Sequence, residues 1–264
     1  MAYQTGIINY KGSFKSIRNY KNVGDRKIYG SEKGGANRDL IMNNPTLART
    51  RENMNEFGGC AVAVKSIRRG MLKLLPEHSD TRFTSRLVKL IKMINLRDEE
   101  GKRGEKSILI SLNKPMLKTL NLHEKRKIDF ELKRCVKTSH PDLRNEATLT
   151  VNGLNPGPLL VPGNAQYYRL VNHLSIVSDF VYVAEDKKYK PLSKLERTAA
   201  YVYSDYTPVN TPLSTELKTA FKAGTLLSDS DTVLQCVGIE FYNRAGAEGY
   251  VFYSTGTMLV YDVF

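Results

Sequence analysis

At 264 residues the chain can bury a full core without disulfides, and its three cysteines, Cys60, Cys135 and Cys236, are too scattered and odd in number for a disulfide framework or a zinc knuckle. No run of about 18 apolar residues occurs, and the opening MAYQTGIINYKGSFKS lacks the apolar stretch of a secretory signal. Membrane insertion is therefore not expected, and a cytoplasmic protein is the default, with export as an assembly or by a route that reads no cleavable signal left open.

The net charge of +13 is unevenly placed: residues 1–140 hold 30 Lys/Arg against 14 Asp/Glu, a net of +16, while residues 141–264 hold 10 against 13, a net of −3. A basic half of this kind attracts phosphate backbones, or it meets the acidic half of a neighbouring copy.

Residues 5–31 read as short strands. Gly6 to Tyr10 is apolar and β-branched, Gly12 allows a turn, and Ser13 to Lys21 carries Phe14, Ile17 and Tyr20 among lysines and arginines. Asn22-Val23-Gly24-Asp25 is a second turn and Arg26 to Gly30 a further strand. Cations interleaved with aromatic rings suit a nucleic-acid surface. They suit equally a β arm whose rings Tyr10, Phe14 and Tyr20 pack on a neighbour. Lys33-Gly34-Gly35 matches neither phosphate-loop spacing and is read as a sharp turn.

A long helix starts at Asn44, whose side chain can cap it, with Pro45 in the first position, where a missing N–H costs nothing. Leu47, Met54, Phe57, Ala61, Val64, Arg68, Met71 and Leu75 fall on one face, and Pro76 ends it. Arg51, Glu52, Asn55, Glu56, Lys65, Arg69 and Lys73 fall on the other. Gly58-Gly59-Cys60-Ala61 interrupts the pattern with four small residues. Glycine costs about 1 kcal/mol against alanine inside a helix, so the pair either bends the helix or, the reading favoured here, lets another backbone come very close. A second helix, capped by Ser79 or Asp80, carries Phe83, Leu87, Leu90, Ile91 and Ile94 as its stripe. The short link makes the two an antiparallel hairpin with apolar surface to spare.

Arg97 to Lys106 is an exposed charged loop, Ser107 to Leu112 a short strand, and Pro115 to Leu122 a helical turn or irregular link. The alternation of Ile128, Phe130 and Leu132 predicts a strand within His123–His140. His123 beside Glu124 lacks the second histidine of a HExxH site and is read as a structural surface residue. From about residue 145 the pattern is all-β. It runs through Ala147 to Val151, a Pro/Gly loop over residues 152–163, Tyr167 to Val183 as one or two strands, and a polar link from Lys187 to Lys194. Arg197 to Tyr206, Thr215 to Phe221, Thr232 to Tyr242, Tyr250 to Ser254 and Met258 to Phe264 follow, the last three separated by turns at residues 244–249 and around Gly256. Successive short strands of this kind predict an antiparallel sandwich. Eleven of the fifteen tyrosines lie after residue 160, a composition suited to sheets and interfaces, and the lack of tryptophan argues against a carbohydrate platform.

The segments GIINYKGSF and EKGGANRDLIMNNPTLARTRENMNEFGG, the basic helix after them, Ser85-Arg86, and GIEFY at Gly238 to Tyr242 resemble a family of uncharacterised Bacteroidota proteins. The match spans the chain, with RTREN…EFG as its most specific part. It implies a shared two-part architecture and a bacterial source, and it carries no activity, cofactor or catalytic residue.

The fold expected is α+β: a β arm and Gly turn over residues 1–44, a central helical hairpin over 45–106, and a C-terminal antiparallel β-sandwich over 107–264. The carboxylates Glu52, Glu56, Asp179 and Glu240 form no catalytic, metal or cofactor grouping with other residues by spacing. The function expected is thus non-enzymatic: a structural homo-oligomer that assembles into a filament, tube, shell or lattice through its basic and acidic surfaces. Its contacts would be Phe57, Gly58, Gly59, Tyr10, Phe14 and Tyr20. The alternative is nucleic-acid binding through Lys11, Lys15, Arg18, Lys21, Arg68, Arg69 and Lys73.

Overall fold

The computed structural model describes residues 2–6, 9–22, 24–157, 160–246 and 249–264. Ile7 and Ile8 of the first expected strand, Val23 of the second turn, and residues 158–159 and 247–248 of later loops lie outside them. The chain divides into two compact units, residues 1–51 and 52–264.

The first unit is a four-stranded antiparallel sheet of β1 (Ala2–Tyr3), β2 (Gly12–Phe14), β3 (Ile17–Tyr20) and β4 (Tyr29–Glu32), in the order β1-β4-β3-β2. A short helix α1 (Arg38–Asn43) and a 3-10 turn (Pro45–Leu47) follow. Asn37 caps α1 by accepting a hydrogen bond from Leu40 N at 2.7 Å, and Asn44 caps the next turn from Thr46 N at 3.0 Å. The Arg51 guanidinium donates to the carbonyls of Ile41 and Asn44 at 2.8 and 2.7 Å, satisfying acceptors that a helix end leaves open. Ile28 is the only buried residue among those described in this unit.

The long helix α2 (Ala48–Gly70) carries the chain into the second unit. Its buried residues are Glu56, Gly59, Cys60, Ala63, Val64, Ser66, Ile67 and Gly70. The face is turned away from the one the large apolar residues predict: Met54 and Phe57 are exposed and Glu56 is buried. The reason is steric, since only the small-residue side lets the helix settle onto a sheet. The helix also ends earlier than expected. Gly70 packs on Ser175, residues 71–74 form a turn, and Pro76 opens helix α3 (Leu75–His78) rather than closing α2. Helix α4 (Phe83–Leu96) returns beside α2, and the Glu56–Lys92 ion pair ties the hairpin together.

The short helices α5 (Lys114–Leu117) and α6 (Asp129–Cys135) precede the strands. Residues 107–112 form only an isolated bridge, Ile108 to Phe180, and not a strand. The expected strand at residues 128–132 is helix α6: Ile128 and Leu132 are fully buried one turn apart while Phe130 is 68% exposed. A period of four has displaced the apparent period of two.

The strands are β5 (Val136–Ser139), β6 (Glu146–Leu154), β7 (Tyr167–Ser178), β8 (Phe180–Val183), β9 (Lys188–Pro191), β10 (Ala199–Tyr203), β11 (Thr207–Pro208), β12 (Leu213–Ala220), β13 (Asp231–Ala245) and β14 (Gly249–Val263). The central sheet runs β10-β7-β13-β14, with β11 also on β7; β12-β6-β5 forms a second sheet and β8-β9 a hairpin. All pairs are antiparallel. The polar link expected at residues 187–194 thus contains β9, and Gly256 lies within β14 instead of in a turn.

Alternation along the central strands sends residues to two faces. Val171, Val177, Leu234, Cys236, Met258 and Val260 pack with Cys60, Val64, Ile67, Leu87 and Ile91 of the helices. Leu170, Val237, Ile239 and Leu259 pack with Leu149, Val151 and Leu217 of the second sheet. The unit is therefore a β-sandwich with the hairpin laid on its outer face. Between the sheets, Asn172 donates to Leu217 O at 3.1 Å and accepts from Gln235 Nε2 at 3.0 Å. Such a buried polar pairing penalises any slip of register.

Candidate functional site: an arginine-tyrosine face beside a basic cleft

The helix-facing side of the central sheet ends in a cluster of charged and aromatic groups. Antiparallel pairing sets Arg169 of β7 directly opposite Glu240 of β13. Glu240 is buried, and Arg169 holds its Oε2 through Nε and Nη2, both at 2.9 Å. Tyr203 of β10 donates its hydroxyl to Oε1 at 3.2 Å, and Tyr242 donates to Oε2. The guanidinium lies 3.6 Å from the centre of the Tyr203 ring, with Tyr242 at 4.9 Å and Tyr206 at 5.2 Å. Tyr206 stacks on Tyr250 at 3.9 Å, and Tyr167 meets Tyr250 edge-on at 5.1 Å.

His78 reaches this cluster from α3. Its Nδ1 lies 2.8 Å from the Leu74 carbonyl and so carries a proton, while Nε2 stands 3.6 Å from Glu240 Oε1 with no hydrogen-bond partner. Gly238 makes room for the ring, since a Cβ there would lie 3.0 Å from His78 Nε2. Burial lowers the His78 pKa below its usual value, against the pull of Glu240. Burial, reinforced by Glu240, raises the phenols of Tyr203 and Tyr242. The carboxylate is thus shared among a guanidinium and two phenols, and the two phenols are held in their protonated form. The chemistry of the cluster is that of a buried clamp under a half-exposed row of tyrosines.

Beside the clamp, across the Tyr201–Tyr203 ring contact of 5.6 Å, opens a cleft of about 230 Å³. The end of α2 supplies Arg69 and Gly70, the turn after it Lys73, and the sheet His173 and Tyr201. Lys73 sits 5.6 Å from the centre of the Tyr201 ring. His173 is 2% exposed, and its Nε2 is 3.0 Å from the Gly70 carbonyl. Its Nδ1 has no partner. Burial lowers its pKa to about 4, so the ring is neutral at pH 7.

The residues singled out by sequence are scattered. Tyr10 and Phe14 are exposed in the first unit, and Tyr20 is half-buried 6.0 Å from the Tyr29 ring. Lys11, Lys15, Arg18 and Lys21 are exposed there as well. In the second unit Phe57 is exposed, Gly58 faces open space, and Gly59 is covered by the Tyr189 ring of the same chain. Arg68, Arg69 and Lys73 are exposed at the end of α2, and the structure brings Arg69 and Lys73 together in the cleft. His123 accepts from the backbone N–H groups of Lys125 and Arg126, a turn-forming role. Among the described residues no three of His, Cys, Asp and Glu are grouped to hold a metal ion, and no helix is long and apolar enough to cross a membrane.

The carboxylates Glu52, Glu56, Asp179 and Glu240 are each held by partners: Arg103, Lys92 with Gly104 N, Ser111, and Arg169. Arg169, His173, His78 and the tyrosine row were not singled out. The signal available was a charged or imidazole side chain inside an apolar strand pattern, at Arg169, His173 and Glu240. Compared with family models, curated proteins and solved structures, the chain matches none.

Proposed function

We propose that the protein is a structural subunit that self-assembles into a filament, tube, shell or lattice through its N-terminal arm. The observation that carries this reading is the arm's lack of a core. Ile28 is its only buried residue among those described, while Phe14 is 64% exposed, Ile17 49%, Tyr10 48% and Leu40 48%. A small sheet of this kind is marginal by itself, and covering its side chains yields about 25 cal/mol per Å² of apolar surface. Charge favours another copy as the cover. Residues 1–51 hold ten Lys/Arg against three Asp/Glu, a net of +7, whereas residues 141–264 have a net of −3. A contact between unlike surfaces propagates from copy to copy. The reading assigns no reaction to the chain.

The exposed Arg68, Arg69 and Lys73, which form no ion pair among the described residues, favour a second reading, nucleic-acid binding. Light scattering with negative-stain imaging, on nuclease-treated protein at low and high salt, separates the two. Regular particles free of nucleic acid are expected, with dispersal of Phe14→Ser/Ile17→Ser to monomers of unchanged helix content. A monodisperse monomer at every salt concentration would overturn assembly. Particles that dissolve on nuclease treatment would favour the second reading.

A further inference from the structure

We infer that the outer face of α2 pairs with the same face of a second copy of the chain, antiparallel about a two-fold axis that passes between Phe57 and Gly58. The contact is separate from the arm and does not rest on the assembly reading.

The first ground is that α2 is apolar on two opposite sides. Cys60, Ala63, Val64 and Ile67 lie on the face that packs on the sheet. At 3.6 residues per turn, Met54, Phe57, Gly58 and Ala61 fall on the other side of the helix, within an arc of about 100°, and Val62 borders them. Phe57 is 56% exposed and Met54 52%, and Gly58 and Ala61 are exposed as well. Single exposed apolar residues need no explanation, but a stripe of them at helical spacing marks an interaction surface.

The second ground is the relief of that stripe. The Tyr189 ring of the same chain accounts for Gly59, but a Cβ on Gly58 would meet nothing within 4 Å among the described residues. Gly58 is thus an open notch, next in the chain to the exposed Phe57. The third ground, which commits the face to a second copy, is that its large and small residues answer one another. An antiparallel two-fold between positions 57 and 58 sets Phe57 against the partner's Gly58 and Met54 against the partner's Ala61, twice over. Charge selects the same direction. Lys65, Arg68 and Arg69, all exposed, continue the stripe toward the C-terminal end of α2. A parallel pair would bring the two sets of cations together, whereas an antiparallel pair sends them to opposite ends, with the helix dipoles opposed.

The test is sedimentation equilibrium of the full chain carrying Phe14→Ser/Ile17→Ser, so that the helix face is read without the arm contact. A single helix pair covers less than the ~800 Å² per partner of a standard interface. The result expected is therefore a reversible dimer with a Kd on the order of 0.1 mM, dissociated at the dilution of a light-scattering measurement. Phe57→Ser should weaken it by on the order of ten-fold or more. Gly58→Leu, which fills the notch, should weaken it as much while the unfolding midpoint stays or rises. In a Cys135→Ser background, Met54→Cys protein mixed with Ala61→Cys protein should form the mixed disulfide. Met54→Cys protein alone should not cross-link, because antiparallel pairing sets the two positions about 10 Å apart along the axis. A monomer up to about 1 mM would overturn the inference and leave the face to a different protein or to the chain's own arm. A dimer that neither Phe57→Ser nor Gly58→Leu weakens, or a disulfide between two copies of the Met54→Cys protein, would overturn it as well.

Discussion

The ring of Tyr189 in β9 lies over Gly59 of α2, so that a Cβ on the glycine would stand 2.5–2.7 Å from three of its carbons. The Tyr189 hydroxyl is anchored by donating to Lys106 O at 2.9 Å, which leaves the ring little freedom to retreat. Gly58, one residue earlier, has nothing within 4 Å of the same position. Adjacent glycines therefore respond oppositely to a methyl group. Gly59→Ala should destabilise by about 1–3 kcal/mol through overpacking, while Gly58→Ala should stabilise by up to about 1 kcal/mol through helix propensity. Urea unfolding of the two variants measures both, and equal shifts would refute the packing account.

The Arg169–Glu240 pair should behave as a unit. Glu240→Gln keeps the shape but leaves a guanidinium without its counter-charge under three tyrosine rings, an effect of about 3 kcal/mol. Arg169→Met strands the buried carboxylate instead. The double variant should lose clearly less than the sum of the two, because each single change exposes the penalty that the other removes. Additive losses in thermal unfolding would show the two residues to be energetically separate.

Acid should weaken the fold as the pH falls from about 6.5 toward 4. His173 has a native pKa of about 4 against the usual 6.5, because burial disfavours its charged form. Between those values the unfolded chain takes up a proton that the native state refuses. Stability from this group is thus complete above about pH 6.5 and falls as pH drops toward 4, by about 3 kcal/mol in all. His78, also lowered by burial, adds to the loss. Asp179, raised by burial, takes up its proton earlier in the native state and so opposes the loss. Denaturant unfolding across pH 4–7 should show this slope, and a flat profile would contradict a neutral, buried His173.

The thiols should divide two to one. Burial pushes Cys60 up to about 11 and Cys236 up to about 12, and both are inside the core. Cys135 is only half-buried. A thiol reagent at neutral pH should modify one cysteine in the native protein and three after denaturation. Rapid reaction of all three would mean that the helix-facing side of the central sheet opens readily.

Local chemistry made several elements legible. Asn44 and Pro45 mark the start of the long helix because capping and a missing N–H act within one turn. The alternation around Ala147 and the apolar stretches around Val171 and Val237 mark strands where they stand, and the lone Arg169, His173 and Glu240 within such stretches were the visible trace of the candidate site. The face of α2 could not be read the same way. Phe57 and Met54 are the larger apolar groups, yet Gly59, Cys60 and Ala63 are buried, because the sheet beneath rewards close approach over side-chain size.

What the sequence by itself determined is the class of the chain: an antiparallel α+β protein with a basic first half, a helical hairpin and three free thiols. Periodicity, capping and charge act over a few residues, so they are present in the string of letters. Only the tertiary structure decided that Arg69, Lys73, Tyr201 and His173 share one cleft, and that Arg169 meets Glu240. Those neighbours are separated by up to 132 positions along the chain, from Arg69 to Tyr201. They are joined by strand register and by the way a small-residue helix face seats on a sheet, and register and seating are settled by the packing of the whole core.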